Sequence, residues 1–229
     1  MLDIKYEDSE IIVVKKQAGI ESQSGRTFAM DLYSEIRNYL SRNGGGPSPY
    51  VGVIHRLDRP VAGVMVYAKK QSAAASLSRQ IQNGKMKKKY YALLCGVPNP
   101  PQGTRIDFLI HDKHTNITKL ASEGEKDAKQ AILNYAVIND CPIQELKDME
   151  KEAQNKGIET CYVDIELITG RHHQIRAQFA ALNTPLYLDT KYNPFMKEEK
   201  KRPAIGLCAY QLSFEHPKTN KKLIFQLKE

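Results

Sequence analysis

Residues 50–68 read Tyr-Val-Gly-Val-Ile-His-Arg-Leu-Asp-Arg-Pro-Val-Ala-Gly-Val-Met-Val-Tyr-Ala. Two apolar runs, 50–54 and 63–68, bracket the polar segment His55 to Pro60. Short β-branched runs on either side of a turn-forming cluster read as two strands joined by a loop. The loop carries Asp58 with Arg56 and Arg59 beside it. Guanidinium groups at this spacing hold a carboxylate ionised, and an ionised carboxylate serves as nucleophile or base, not as proton donor. An Asp ahead of Arg-Pro also serves as a plain turn former whose side chain bonds nearby backbone amides.

Outward from this loop the chain alternates strands and helices irregularly. On its N-terminal side, Ile11-Ile12-Val13-Val14 reads as a buried strand. Thr27 then caps a helix through Leu40, with Leu32, Ile36 and Leu40 apolar, stopped by Asn43-Gly44-Gly45-Gly46-Pro47. On its C-terminal side, a helix from Ser72 to Gln82 places Ala74, Leu77 and Ile81 on one face and ends at Asn83-Gly84. Tyr90 to Gly96 is a strand and Pro98 to Gly103 a turn-rich stretch, and residues 111–129 form an exposed loop or ribbon. Ala131 to Ile138 is strand-like, and Pro142 to Gly157 is an exposed helix with Ile143, Leu146 and Ala153 at helical spacing. Residues 160–168 return to strand, and Thr169-Gly170 precedes a helix carrying Ile175, Phe179 and Leu182. Leu207 to Phe214 and Leu223 to Leu227 make a hairpin around His216 to Asn220. Strands dominate without β-α-β alternation, which predicts an α+β fold: a mixed, largely antiparallel sheet with flanking helices and loops. Residues 1–229 are expected to form a single domain, since no repeat or low-complexity linker divides them.

Composition fits this reading. The chain has 229 residues, 41% hydrophobic and 26% charged, enough to bury one sizeable core. No run of 18 apolar residues and no signal segment is visible, so a cytoplasmic protein without a membrane span is expected. Cys95, Cys141, Cys161 and Cys208 form no C-x-x-C pair and read as reduced thiols, not as metal ligands. His172-His173 does not change this, because neighbours on a helix or strand point in different directions. The formal net charge is +8. Residues 51–91 carry nine Lys and Arg and one acid, Asp58, while the rest of the chain holds 25 of each sign. A basic block is the footprint of a polyanion-binding face, and it is also the pattern of a solvated surface.

Two further elements could carry chemistry. Lys88-Lys89-Tyr90-Tyr91 puts cations next to rings at a strand start, which suits phosphates and an unpaired base, and equally suits core tyrosines beside a solubilising lysine run. Only one of the two tyrosines can face a given side of the strand. Gly170-Arg171-His172-His173-Gln174-Ile175-Arg176 is a dense polar cluster at a helix start, able to hold phosphate or to form a hydrated cap. No P-loop and no nucleophile elbow is present.

His55 to Gly63 with Ala68-Lys69, then Lys88-x-Tyr90-x-Ala92 with Gly96, then Thr169-Gly170-Arg171-x-His173-Gln174-Ile175-Arg176 resemble, in order and spacing, the three signature motifs of the RluA-type RNA pseudouridine synthases. Weaker similarity extends to Tyr6-Glu7-Asp8 with Lys16-x-Ala18-Gly19, and to the segment Leu207 to Pro217. The resemblance implies isomerisation of uridine within rRNA or tRNA to pseudouridine by a monomer needing no cofactor and no metal. It implies Asp58 as the catalytic aspartate at the ribose, Tyr90 stacking on the base, and Arg176 paired with Asp58. It further places Arg56, Lys88, Arg171 and Ile175 on the substrate, with Arg56 filling the space left by the flipped nucleotide. It also implies that RNA is held by the catalytic domain, with no small S4-type domain ahead of residue 6. The chain departs from the family at Gln17 (often Pro), Val61-Ala62 (Thr-Ser), His172 (Thr), Gln178 (His), Leu188 (Gly before Asp189) and Cys208 (His). Two alternatives compete: a non-catalytic RNA-binding or RNA-folding protein, and a nucleoside-cleaving enzyme using Asp164 or Glu166 as second carboxylate.

Overall fold

The structure is a computed structural model that describes residues 2–24, 31–197 and 203–227. In chain order its elements are β1 (Asp3–Glu7), β2 (Ile11–Lys16), α1 (Leu32–Arg42), β3 (Gly52–Val53), β4 (Ala62–Ala68), α2 (Gln71–Gln82) and β5 (Lys87–Cys95). There follow β6 (Gln102–Asp112), β7 (Ile117–Ala121), β8 (Lys129–Ile138), α3 (Gln144–Asn155), β9 (Thr160–Leu167), α4 (Gln174–Ala181), a 3-10 turn at Pro194–Met196, β10 (Leu207–Glu215) and β11 (Lys222–Gln226). This is the predicted α+β class. The chain divides into two compact units, Met1–Lys87 with Ala209–Leu227, and Lys88–Cys208.

In the first unit the strand order is β1-β2-β4-β10, with β3 also on β4 and β11 on β10. β2 runs antiparallel to β4, Val13 opposite Val66 and Lys16 opposite Gly63. Ile11, Ile12, Val13 and Val14 are all buried, as a strand covered on both faces requires. Gly63 is needed because a Cβ there would lie 2.4 Å from the Ala209 Cβ and 2.5 Å from its carbonyl oxygen. The segment His55 to Pro60 is indeed the loop between β3 and β4, which pair antiparallel.

The two helices of this unit differ in detail from their sequence patterns. α1 begins at Leu32, capped by Asp31, whose carboxylate accepts from the Ser34 N–H at 2.7 Å. The cap expected at Thr27 lies outside the described residues. α2 spans the expected residues, but its buried face is Ala73, Leu77 and Gln80 instead of Ala74, Leu77 and Ile81. Gln80 turns inward because its carboxamide donates to the Glu215 carbonyl and accepts from the Glu215 N–H, both at 2.8 Å. A β10 backbone position thus gains a side-chain partner, which apolar periodicity cannot reveal.

In the second unit the order is β5-β9-β8-β6-β7, with the β5–β9, β9–β8, β8–β6 and β6–β7 pairings antiparallel. The ribbon expected within 111–129 is the end of the β6–β7 hairpin. β3, β9, β10 and α3 lie near their expected limits, whereas β1 and most of β6 had no clear apolar signal. α4 is buried from Gln174 through Phe179. Leu109, Ala131 and Ala177 form a core cluster between α4 and the sheet, with Tyr192 packed on it.

Candidate active site

The loop bearing Asp58 is fastened to residues 16–24 of the same unit. Gly19 N–H donates to the Arg59 carbonyl at 2.8 Å, and Arg59 Nε returns a bond of 2.9 Å to the Gly19 carbonyl. Ser22 Oγ donates to the Leu57 carbonyl (2.9 Å) and accepts from the Leu57 N–H (3.1 Å). The Tyr67 hydroxyl donates to the Ser22 carbonyl at 2.9 Å. A turn bond of 3.0 Å joins Val61 N–H to the Asp58 carbonyl. A loop held on both sides of one residue presents that residue in a fixed position. Asp58 is half-buried, while Arg56 and Arg59 are exposed. Arg56 donates to Gln23 Oε1 at 3.1 Å.

Beneath the loop sits Lys16, with no exposed surface. Its ammonium donates to the carbonyls of Gln17 (3.0 Å), Ile20 (2.6 Å) and Arg59 (3.1 Å). Burial pushes its pKa down to about 8, while the negative charge of Asp58 acts in the opposite sense. Sequence reading drew the cations for Asp58 from its neighbours Arg56 and Arg59 and, through the family resemblance, from Arg176, and gave Lys16 no role. The signal available was a lysine within the strand that continues directly from the apolar run Ile11 to Val14.

The second and third motifs meet within the second unit. Lys88 and Tyr90 share one face of β5, opposite Leu167 and Ile165 of β9, and β9 leads directly into the turn 168–173. Tyr90 is buried and Lys88 half-buried. Asp164 and Glu166 belong to the other face with Lys89 and Tyr91, and Lys89 Nζ reaches Asp164 at 3.7 Å. That placement puts both acids on the strand face opposite to that of Tyr90.

Gln174 knits the turn. Its Oε1 accepts from Thr169 Oγ1 (2.8 Å) and from the Arg171 N–H (3.0 Å), and its Nε2 donates to the Ile132 carbonyl (3.1 Å). Arg171 is exposed, with Nε donating to the Gln130 carbonyl at 2.9 Å. Ile175 is a buried core residue. Arg176 is buried and makes a fork to Asp189, Nε to Oδ2 and Nη2 to Oδ1, both at 2.7 Å. Its guanidinium carbon lies 5.0 Å from the centre of the Tyr192 ring. Asp189, foreseen only as part of the family pattern, is the residue that orients this arginine.

His172 and His173 correct one expectation. Their rings do not diverge but stack at 3.7 Å, and His111 stacks on the other side of His172 at 3.7 Å. The cause is backbone geometry: His173, with φ of 49°, stands at the start of α4 in the left-handed region, outside helix or strand parity. Thr118 Oγ1 bonds His172 Nδ1 and His173 Nδ1 bonds the Tyr192 hydroxyl, at 2.9 and 2.8 Å. Burial, aided by the charge of Arg176, pushes His173 down to about 2; burial, aided by the other imidazoles and cations, pushes His172 to about 4. Both rings are therefore neutral near pH 7. Among the described residues no three His, Cys, Asp or Glu side chains are grouped as ligands of a metal ion, no helix is long and apolar enough to cross a membrane, and the four cysteines form no disulfide.

The anchored aspartate loop, the strand bearing the second motif and the turn bearing the third all fall within one stretch that matches a known family. Residues 10–181 match the family described as RNA pseudouridylate synthase, and the chain belongs to that family. It is 30% identical to the ribosomal large subunit pseudouridine synthase C of Buchnera aphidicola subsp. Baizongia pistaciae, over 96% of this chain and 65% of that protein. It is 26% identical to the tRNA pseudouridine synthase C of Vibrio parahaemolyticus, over 98% of this chain and 89% of that one. The solved structure of human RNA pseudouridylate synthase domain containing 4 shares the fold, with a TM-score of 0.75 at 19% identity over 99% of this chain and 88% of that one. The chain spans about two thirds of the length of the Buchnera relative.

Proposed function

We propose that the protein converts uridine in structured RNA, rRNA or tRNA, to pseudouridine, with Asp58 as the catalytic carboxylate. The observation that carries this reading is the anchoring of Asp58: bonds to Leu57 and Arg59 from Ser22, Gly19 and Lys16 fix the backbone on both sides of it. The carboxylate attacks C1′ of the ribose or takes the C2′ proton, and the C1′–N1 bond breaks. The uracil turns and C1′–C5 forms, with the Asp58 ester to C1′ breaking on the first route or the proton returning to C2′ on the second; the C5 proton leaves and N1 takes up a proton. Atoms and electrons balance without any oxidant or co-substrate, as an isomerisation requires.

In this reading Tyr90 stacks on the base and Arg176, oriented by Asp189, is the cation that keeps Asp58 ionised. Arg56 stands in for the extruded nucleotide, and Lys88, Arg171 and Ile175 belong to the substrate side. The two compact units act together as one catalytic domain, which the family match, crossing both units, supports; the protein acts as a monomer in the cytoplasm. The names of the relatives favour rRNA and tRNA as the substrate classes.

The test is tritium release from C5-tritiated uridine in total rRNA and tRNA of cells lacking the protein. The wild-type chain is expected to release tritium and Asp58→Asn to release none while still binding RNA. Absence of release by the wild type from every pool overturns the reading. Salt-sensitive binding unchanged by Asp58→Asn, with an unaltered RNA, would favour the non-catalytic alternative.

A further inference from the structure

Lys88 and Lys89 are adjacent on β5 but have opposite fates. Lys89 lies at 3.7 Å from the Asp164 carboxylate on one face. Lys88, on the face shared with Tyr90, has no hydrogen bond or ion pair among the described residues, and burial holds its ammonium below the usual lysine range. Taking a cation from water without a counter-ion is costly, and a chain that retains one leaves room for an anion from elsewhere.

The surroundings of Lys88 fit such an anion. A Cβ added to Gly170 would sit 3.5 Å from Lys88 Nζ, so the ammonium looks onto a backbone with no side chain. Gly170 is exposed, which leaves a way in from solvent. The next residue, Arg171, has its Nε tied to the Gln130 carbonyl and its N–H to Gln174 Oε1, so the base of its side chain is pinned. Its terminal Nη groups make no hydrogen bond or ion pair among the described residues. The strand that pairs with Lys88 offers Leu167 as its opposite residue on this face, not an acid.

We propose that Lys88 and Arg171 together bind one phosphate of the RNA strand over Gly170. This rests on the reading of the chain as an RNA-modifying enzyme, and it assigns two cations and a glycine to a single ligand group. Lys88 acts as a point charge from below, Arg171 as a donor from the rim, and the missing side chain at 170 sets the depth of the seat.

The test is anisotropy titration of the full chain with a labelled uridine-rich RNA stem-loop over roughly 50–300 mM KCl. Lys88→Met and Arg171→Gln should each weaken binding about tenfold and lower the slope of log K against log salt by about 0.7–0.9. Gly170→Ala keeps every charge and meets Lys88 only at ordinary contact distance, yet should weaken binding by covering the ammonium. Lys88→Met should also raise Tm, since it removes an unpaired, desolvated charge; a purely structural lysine would lower it. Unchanged affinity and slope in Lys88→Met and Gly170→Ala overturns the site. Tritium release by the wild type, measured on the same samples, reports separately on the isomerase reading: release with unaltered binding in the variants sinks the phosphate site alone. Loss of binding in the variants without release by the wild type sinks the isomerase reading alone. If Lys88→Met fails to fold, Lys88→Arg must retain both affinity and slope.

Discussion

The guanidinium of Arg176 and the carboxylate of Asp189 face each other edge to edge, two bonds of 2.7 Å with both side chains shut off from solvent. Removing one member of such a pair strands a buried charge, at a cost of about 3–5 kcal/mol. Asp189→Ala should therefore be destabilised by this amount in urea unfolding. The double variant Asp189→Ala with Arg176→Met should lose clearly less than the sum of the singles.

Leu188, immediately before that carboxylate, is buried with φ of 60°. The left-handed region costs a branched side chain about 1–2 kcal/mol, and glycine nothing. Leu188→Ala loses the packing and keeps most of the strain, so it should cost about 2–4 kcal/mol. Leu188→Gly loses the same packing but sheds the strain, and should be the milder change by about 1 kcal/mol. Equilibrium unfolding of the two variants side by side checks this inverted order.

The histidine stack sets an acid limit. His173 in the unfolded chain takes a proton near pH 6.5, whereas in the folded chain it resists until about pH 2. The unfolded state thus binds more protons throughout that window, and stability falls as pH drops through it, by up to about 1.4 kcal/mol per unit from this residue. Unfolding free energy measured from pH 7 to 4 should fall less steeply in His173→Gln than in the wild type, because the carboxylates are common to both.

Lys16→Met should be strongly destabilising although it removes a buried charge. The carbonyls of Gln17 and Ile20 would lose this donor, each at a cost of about 1–3 kcal/mol, while the Arg59 carbonyl would keep only its bond from the Gly19 N–H. The loop bearing Asp58 would lose its support in the same step. A fall in kcat larger than any rise in KM for protein that remains folded would mark this as a positioning effect.

The segments that sequence reading located best are those where one short stretch carries both the apolar pattern and its punctuation. The loop 55–60 between two β-branched runs, α2 with Asn83-Gly84 at its end, and the hairpin of β10 and β11 are of this kind. β6 escaped because Gln102 to Asp107 holds a single large apolar residue, Ile106, and its pairing with β8 makes it a strand. Gln80 faced inward for a hydrogen bond, and His173 left regular parity through a positive φ; neither is a property of apolar spacing. In the candidate site, motif spacing pointed to Asp58, Tyr90 and Arg176. The supports, Lys16 under Arg59 and Asp189 across from Arg176, lie 43 and 13 residues from what they hold. Such links depend on the folded path of the chain.

The unit that holds Asp58 is discontinuous: residues 1–87 are completed only by 209–227, with Ala209 seated against Gly63. During synthesis the sheet of residues 1–87 lacks β10 and β11 until the whole intervening segment 88–208 has been made. The segment carrying Tyr90 and Arg176, by contrast, is one uninterrupted stretch within 88–208. A nascent chain halted at residue 208 would thus leave the flank of β4 without its β10 neighbour, and the sheet of the aspartate unit closes only after the segment 88–208 has been made.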